Sequence, residues 1–263
     1  MQKSAKELAF LRDLYVQDEW TRRFTDLVDK HAKLTDAEEL LYLNAGTGTH
    51  ALVLEERIGN ETDIFAVCGD EYELAIAADK AIAVGSKVEF STKSFGDDAF
   101  ACVVADLSFV RLEDTAETID DVVRKAKTDG EVALVMPTAG SFGELYSMLW
   151  EVLADADVEL STKAEDLITG LPSVAAVKQA AENAGLVNIK SETANEAFDF
   201  ETGEDLVNSP LVADFLFPMW FGEIDDAEDA AIKEKLAGLI NAELGDLSFQ
   251  FTVKATLIRG RRA

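Results

Sequence analysis

Histidine and cysteine are scarce in this chain. With two of each in 263 residues, imidazole acid–base chemistry has few places to start, and a disulfide scaffold or a Cys/His zinc site is excluded. No apolar run approaches the ~18 residues of a membrane-spanning helix, and the N-terminus lacks a positive start followed by an apolar stretch. Both features, with Cys68 and Cys102 lying in apolar runs, point to a reducing cytoplasm. Positive charge is the next shortage. Lysine and arginine number 24 against 51 aspartate and glutamate, giving a formal net charge of −27 and a pI near 4.3. A field of that sign repels phosphates and anionic lipids, which argues against a nucleic-acid or membrane partner. The acids are spread along the chain as a solvated surface, and a high-salt habitat would also fit. What is plentiful is core material: 48% hydrophobic residues and a mean hydropathy of +0.02 belong to a folded chain.

Within residues 4–31, Leu8, Leu11, Tyr15, Trp20, Phe24, Leu27 and Val28 recur at mostly helical spacing. They predict one long or two short amphipathic helices, a cap over residues 1–35. From residue 36 strand and helix alternate. Apolar runs at 40–43, 64–68, 88–90, 100–105 and 132–136 read as strands, and 49–58, 71–84, 115–127 and 142–153 as helices. Short Gly-containing connections between them mean parallel βαβ units, hence an α/β, doubly wound sheet covered on both faces. A polar linker at 154–170, a helix at 172–184 and a strand at 186–189 follow. Asp225, Asp226, Glu228 and Asp229 suit the start of a helix reaching about Leu244, where carboxylates favour the helix dipole, and are not read as a metal site. The last strand, 247–258, alternates Phe249, Phe251, Val253, Ala255 and Leu257 and closes on Arg259-Gly260-Arg261-Arg262. An aromatic segment at 211–221 lies in a cap or lid insertion at about 200–245. It reads as a lid over a small apolar substrate, as core packing, or as an oligomer contact.

The most informative stretch is Leu41-Tyr42-Leu43-Asn44-Ala45-Gly46-Thr47-Gly48-Thr49-His50, a strand running through a glycine turn into a helix. Glycines let backbone turn tightly and approach a ligand, and the helix N-terminus offers unpaired N–H groups. This stretch resembles the first motif of the class I S-adenosylmethionine-dependent methyltransferases, in which an acid and three alternating glycines follow an apolar strand. With Gly46 and Gly48 on the last two glycines, Asn44 takes the place of the first and Tyr42 that of the acid. Ile64-Phe65-Ala66-Val67-Cys68-Gly69-Asp70 resembles the family's second strand and ligand loop, and Phe100-Ala101-Cys102-Val103-Val104-Ala105-Asp106 its fourth strand. Lys127-Thr128-Asp129-Gly130 stands where the family turns into its fifth strand, and the chain's end resembles the last, antiparallel strand.

The resemblance covers roughly residues 40–200 plus the last strand. It implies a seven-stranded, mostly parallel sheet with an antiparallel last strand. It also implies S-adenosylmethionine as cofactor, held by Asn44, Ala45, Gly46, Gly48, Cys68, Asp70 and Asp106, and a small-molecule acceptor. Three positions depart from the pattern: Tyr42 and Cys68 replace acids, and the loop at 91–98 carries Lys93 where an acid is expected. A thiol is a weak acceptor, and charge-assisted bonds to two hydroxyls contribute roughly 1.5–3 kcal/mol each, so losing that clamp weakens binding by about two orders of magnitude or more. Asp70 replaces the acid if the turn is longer than the family's.

Two functions therefore stand side by side. One is methyl transfer to a small molecule; the other is a non-catalytic methyltransferase-like fold that has lost S-adenosylmethionine and acts as a binding or scaffold protein. A nicotinamide dehydrogenase is disfavoured, because no third glycine opens the helix and no acid ends the second strand. His50 reads as a base or carboxylate partner, or as a first-turn helix residue without chemistry, and His31 as a cation suited to a helix C-terminus. Asp106 reads as a site residue or a cap, and residues 137–143 as the lining of a substrate pocket. An oligomer stays open.

Overall fold

The computed structural model describes residues 3–34, 37–59, 61–154, 166–167, 169–222, 224–244 and 247–263. Among them the strands are β1 (Glu39–Leu43), β2 (Asp63–Val67), β3 (Glu89–Ser91), β4 (Phe100–Asp106), β5 (Ala126–Pro137), β6 (Leu186–Phe200) and β7 (Phe249–Arg262). They form one sheet in the order β3-β2-β1-β4-β5-β7-β6, with β7 antiparallel to both its neighbours. The helices are α1 (Ala5–Leu11), α2 (Arg22–His31), α3 (Thr49–Ile58), α4 (Glu71–Val84), α5 (Thr115–Lys125), α6 (Gly143–Leu153), α7 (Val174–Asn183), α8 (Gly203–Asn208), α9 (Phe217–Phe221) and α10 (Asp226–Leu244). A π-helical stretch, Arg12–Thr21, joins α1 to α2, and another, Leu211–Leu216, leads into α9.

Alternation along the strands sorts side chains into two cores. Leu40, Tyr42, Cys102, Val104, Ala133, Val135, Val253, Ala255 and Leu257 fall in one cluster; their neighbours Leu41, Val103, Ala105, Val132, Leu134 and Ile258 fall in the other. The first core is covered by the N-terminal helices, α3, α6 and the helices from 203 to 244, and the second by α5 and α7. A sheet buried on both faces explains why its strands read as near-continuous apolar runs. Trp20, fully buried, centres the first core, with its ring centroid 4.9 Å from that of Phe24, 5.5 Å from Phe109, 5.4 Å from Phe198 and 5.9 Å from Phe142.

The N-terminal cap thus begins as a helix with a Ser4 capping box, continues through a π segment and ends at His31. The aromatic segment at 211–221 packs into the same core through Leu211, Val212, Leu216, Phe217 and Phe221. Three boundaries differ from the sequence pattern. Helix α5 stops at Lys125, and β5 starts at Ala126 and runs through the expected turn: Asp129 has φ 62°, and the pairing with β4 slips between Phe100 and Cys102. Strand β6 extends to Phe200 instead of ending at 189. β7 continues through Gly260 to Arg262. Most of the polar linker at 154–170 lies outside the described residues. Asp225 caps α10, its Oδ1 accepting from the N–H groups of Ala227 and Glu228 at 2.9 Å each, which is the helix-start role its acidic run implied. No helix among the described residues is long and apolar enough to cross a membrane.

Candidate functional site: the cleft at the carboxyl ends of β1, β2 and β4

The chain order leaves β1 towards β2 and β3 on one side and returns to β4 on the other, so the topological switch point lies at the carboxyl ends of β1 and β4, where open α/β sheets place ligands. All seven sequence-derived site residues stand on this edge, at the ends of β1, β2 and β4. Asn44 adopts φ 57°, Gly46 φ 56° and Gly48 φ 79°, three left-handed residues within five. That backbone suits glycine and tolerates asparagine, and it turns β1 sharply into α3. Gly48 is the N-cap of α3 and no side chain caps that end. A Cβ at Gly48 would lie 2.6 Å from Phe90 and 2.8 Å from Ala77, so the glycine there serves packing of the turn against α4 and β3. A Cβ at Gly46 would lie 3.0 Å from Arg12 Nε: the outer face of the turn looks onto a guanidinium.

The other side chains are held as follows. Asn44 is exposed, and its Nδ2 donates to the Asp106 carbonyl at 3.0 Å, tying the ends of β1 and β4 across the crevice. Ala45 is buried, and its N–H donates to Val67 O at 2.8 Å. Cys68 is buried; burial, reinforced by Glu73 and opposed by Arg12, pushes its thiol up to about 12, so it stays protonated at neutral pH. Asp70 caps α4: its Oδ1 accepts from the N–H groups of Tyr72 and Glu73, both at 2.8 Å.

Asp106 is 3% exposed. Its Oδ1 accepts from Ser108 N at 2.8 Å, while Oδ2 and the neighbouring Ser108 hydroxyl have no hydrogen-bond partner among the described residues. Burial pushes the Asp106 carboxyl above its ordinary value; the bond from the Ser108 amide and the charges of Arg12 and His50 pull it back. The sign of the linkage follows: an acid whose pKa is raised by folding contributes stability that is complete below its unfolded value near 3.8 and lost as pH rises through the folded value. Asp106→Asn should therefore gain stability relative to the wild type as pH is raised from acid to neutral. Urea unfolding of both proteins across pH checks this, and a pH-independent difference would contradict it.

Tyr42 and His50 form a buried relay. Tyr42 Oη lies 2.9 Å from His50 Nδ1, His50 Nε2 lies 3.3 Å from Asp29 Oδ1 on α2, and Arg57 pairs with the same Asp29. Burial, and secondarily the charges of Asp106 and Asp29, push the Tyr42 hydroxyl well above its ordinary value, so it remains neutral. Tyr42 thus fills the place of an acid with an uncharged group that fastens α3 to the N-terminal cap. Tyr42→Phe leaves the His50 ring nitrogen unpaired in the core and should cost about 1–3 kcal/mol in chemical denaturation. A change under about 0.5 kcal/mol, the scale of an ordinary surface substitution, would show that the relay is not closed.

Two residues of the cleft escaped the sequence reading. Arg12, at the start of the first π segment, pairs with Glu73 at 2.7 Å and stacks 5.2 Å from the Phe109 ring centroid. Asp13, next to it, accepts from Thr47 Oγ1 at 2.7 Å and pairs with Lys80, whose Nζ also reaches Thr49 Oγ1 at 2.7 Å. The N-terminal cap thereby lies directly on the glycine turn. The available signals were a cation and an acid, Arg12 and Asp13, side by side in an otherwise helical stripe, and both have common surface explanations.

A cavity of about 230 Å³ opens beyond β4 and β5, starting one residue after the Asp106 that Asn44 holds. Leu107, Val110, Met136, Tyr146, Met219 and Trp220 give it apolar walls, Ser108 lines it, and Glu113 and Asp166 add negative charge.

No family model and no curated protein matches the sequence. Solved structures do match in fold. The chain is similar to the YcgJ protein from Bacillus subtilis, at 16% identity over 92% of this chain and 98% of that one, with a TM-score of 0.57. It is similar to geranyl diphosphate C-methyltransferase from Streptomyces coelicolor A3(2), solved with Mg2+, geranyl diphosphate and S-adenosyl-L-homocysteine, at 11% identity over 99% and 85% of the two chains and a TM-score of 0.51. The 4+2 cyclase SpnF matches at 19% identity over 91% and 80%, with a TM-score of 0.50. The seven-stranded sheet in the order β3-β2-β1-β4-β5-β7-β6, with β7 antiparallel, gives the chain the Rossmann-like fold of the class I S-adenosylmethionine-dependent methyltransferases.

Proposed function

We propose that this methyltransferase-like protein binds S-adenosylmethionine on its glycine turn and methylates a small, neutral or cationic, largely apolar acceptor. The observation that carries the reading is the Gly46–Gly48 turn, faced by Arg12 and tied through Asn44 to Asp106 at the end of β4, directly before the Leu107 and Ser108 that line the apolar cavity. The residues present fit the cofactor in chemistry. A guanidinium over the turn suits its amino-acid carboxylate, the uncapped start of α3 adds a favourable dipole, and Glu73 offers a buried carboxylate at the end of β2. Asn44, Ala45, Gly46 and Gly48 would shape the turn beneath it, with Cys68, Asp70 and Asp106 around it. When bound, the cofactor supplies an electrophilic methyl group.

The chain's own part is positioning. An acceptor is held in line and water is kept out, an effect that does not require a strong base. An apolar cavity of about 150 Å³ holds a benzene molecule, so about 230 Å³ suits a one- or two-ring acceptor. The unpartnered Ser108 hydroxyl is placed to orient an acceptor hydroxyl or amine, and Glu113 and Asp166 disfavour anions. A ligand that binds only the folded state at a hundred times its Kd adds about 2.7 kcal/mol of stability. Thermal unfolding with millimolar S-adenosylhomocysteine should therefore move Tm upward by several degrees; an unmoved Tm would overturn the reading.

A second reading has its own support. Arg12 and Glu73 are paired with each other over the turn, and Asp70 Oδ1 is taken up by capping α4. A fold that keeps this pair closed would use only the apolar cavity, as a binding protein. Binding of small aromatic molecules without any S-adenosylhomocysteine effect would favour it.

A further inference from the structure

In a chain with 24 basic and 51 acidic residues, one hollow gathers basic ones. It measures about 150 Å³, lies between β5, β6, β7 and the segment after α2, and is lined by Lys33, Lys190, Arg259 and Arg261 against a single acid, Glu131. It stands at the end of the sheet away from the glycine turn: Glu131 pairs with Cys102 in β4, which pairs with Leu40 near the start of β1. Arg259 and Arg261 follow Val253, Ala255 and Leu257 at every second position of β7, so they continue the row that faces the core beneath the N-terminal cap. Ala32 and Leu34, on either side of Lys33, are buried in that same core.

The cations are placed where they repel one another. Arg259 lies directly opposite Lys190 across β7 and β6, and like charges in such a pair are destabilising. Arg261 has Glu131 opposite it, at 3.5 Å, but no ion pair reaches Lys33, Lys190 or Arg259 among the described residues. Arg259 Nε is buried and has no hydrogen-bond partner among these residues, an unfavourable state for a charged donor. Strand β6 is bulged beside it: Asn188 and Ile189 together oppose Gly260, and Asn188 takes φ 55°. The bulge sets Asn188 on the wall of the same hollow.

We propose that this hollow is a binding site for one tetrahedral oxyanion, inorganic phosphate or the phosphate group of a small ester, held by Lys33, Lys190 and Arg259 with Asn188 donating beside them. An arginine fork matches phosphate oxygens, and hydrogen bonds between ionised groups are roughly twice as strong as neutral ones. One anion would relieve the Lys190–Arg259 repulsion and give the buried Nε an acceptor. A cavity of about 150 Å³ holds one benzene molecule, so the hollow admits the anion and leaves the rest of an ester outside. The net charge of −27 repels phosphate from a distance, but at physiological ionic strength charges are screened over about 8 Å, and those lining the hollow are mostly positive. The site is independent of the S-adenosylmethionine reading, which concerns the opposite end of the sheet.

The test is calorimetric titration of the full chain with inorganic phosphate and with glycerol 3-phosphate, at an ionic strength held constant with sodium chloride. The proteins are the wild type, Lys190→Gln, Arg259→Gln, Arg12→Gln and Lys235→Gln. Wild type should bind at least one of the two anions at one site per chain with millimolar or tighter affinity. Tighter binding of glycerol 3-phosphate supports an ester as the ligand, and equal or weaker binding supports the free ion. Lys190→Gln and Arg259→Gln should each weaken binding at least fivefold; Lys190 is exposed, so its loss leaves the core intact. Arg12→Gln, and Lys235→Gln at an exposed position of α10, should stay within twofold of the wild type. No saturable binding of either anion overturns the proposal, as does an affinity that Lys190→Gln keeps. Equal losses in Lys190→Gln and Lys235→Gln also overturn it, since net charge alone would then account for them. Binding lost in Arg12→Gln and kept in Lys190→Gln overturns it by placing the anion on the glycine turn.

Discussion

Replacing Gly48 with alanine is expected to destabilise the protein by about 2–5 kcal/mol. The added Cβ would lie 2.6 Å from Phe90 and 2.8 Å from Ala77, inside any real carbon contact, and the residue would have to keep φ 79°. Left-handed backbone costs a non-glycine residue roughly 1–2 kcal/mol, and overpacking typically 1–3 kcal/mol more. Against a total stability of about 5–15 kcal/mol, that is a large share. Gly85→Ala is the matched control, because Gly85 is also left-handed, with φ 69° and ψ 31°, and nothing among the described residues lies within 4 Å of the added atom. It should lose only the backbone part, about 1–2 kcal/mol. Urea denaturation of the two variants separates packing from backbone strain, and equal losses would show that the turn does not touch Phe90 and Ala77 as described.

Trp20→Ala should cost about 3–5 kcal/mol, the range for removing a fully buried aromatic side chain. The indole is the point where the π segment of the cap, the β4 loop through Phe109, α6 through Phe142 and β6 through Phe198 meet. Its loss should therefore loosen the N-terminal cap more than the sheet. Hydrogen exchange should speed up through residues 12–31 before it does so in β1, β4 and β5. Uniform acceleration across the whole chain would contradict a cap that depends on Trp20. Trp20→Phe should lose less than its change in volume suggests, because the indole N–H has no hydrogen-bond partner among the described residues and its removal relieves an unpaired buried donor.

The doubly wound sheet was legible because its central strands are buried on both faces and write themselves as apolar runs. β6 was not, beyond its first residues. It is an edge strand paired only with β7, and its burial alternates weakly between half-buried and exposed positions, so Ser191-Glu192-Thr193-Ala194-Asn195-Glu196 reads as a loop. Asp129 and Gly130 carry turn chemistry, yet they sit inside β5. A Cβ at Gly130 would lie 2.8 Å from Lys127 O, so they mark an irregularity in the strand and not its start. In the cleft, the glycine turn after β1 could be read from the sequence, and the seven residues that the family resemblance implied stand on one edge of the sheet. Arg12 and Glu73 could not be read, because their meeting depends on how the cap lies on the sheet. Asp70, the acid the sequence offers nearest to β2, is instead the N-cap of α4.

Equilibrium dialysis with methyl-tritiated S-adenosylmethionine tests the central claim most directly, since it needs neither an acceptor nor a variant. Saturable binding of one molecule per chain, displaced by S-adenosylhomocysteine, is the predicted result. No saturable binding up to millimolar ligand would contradict it and leave the apolar cavity as the site to pursue.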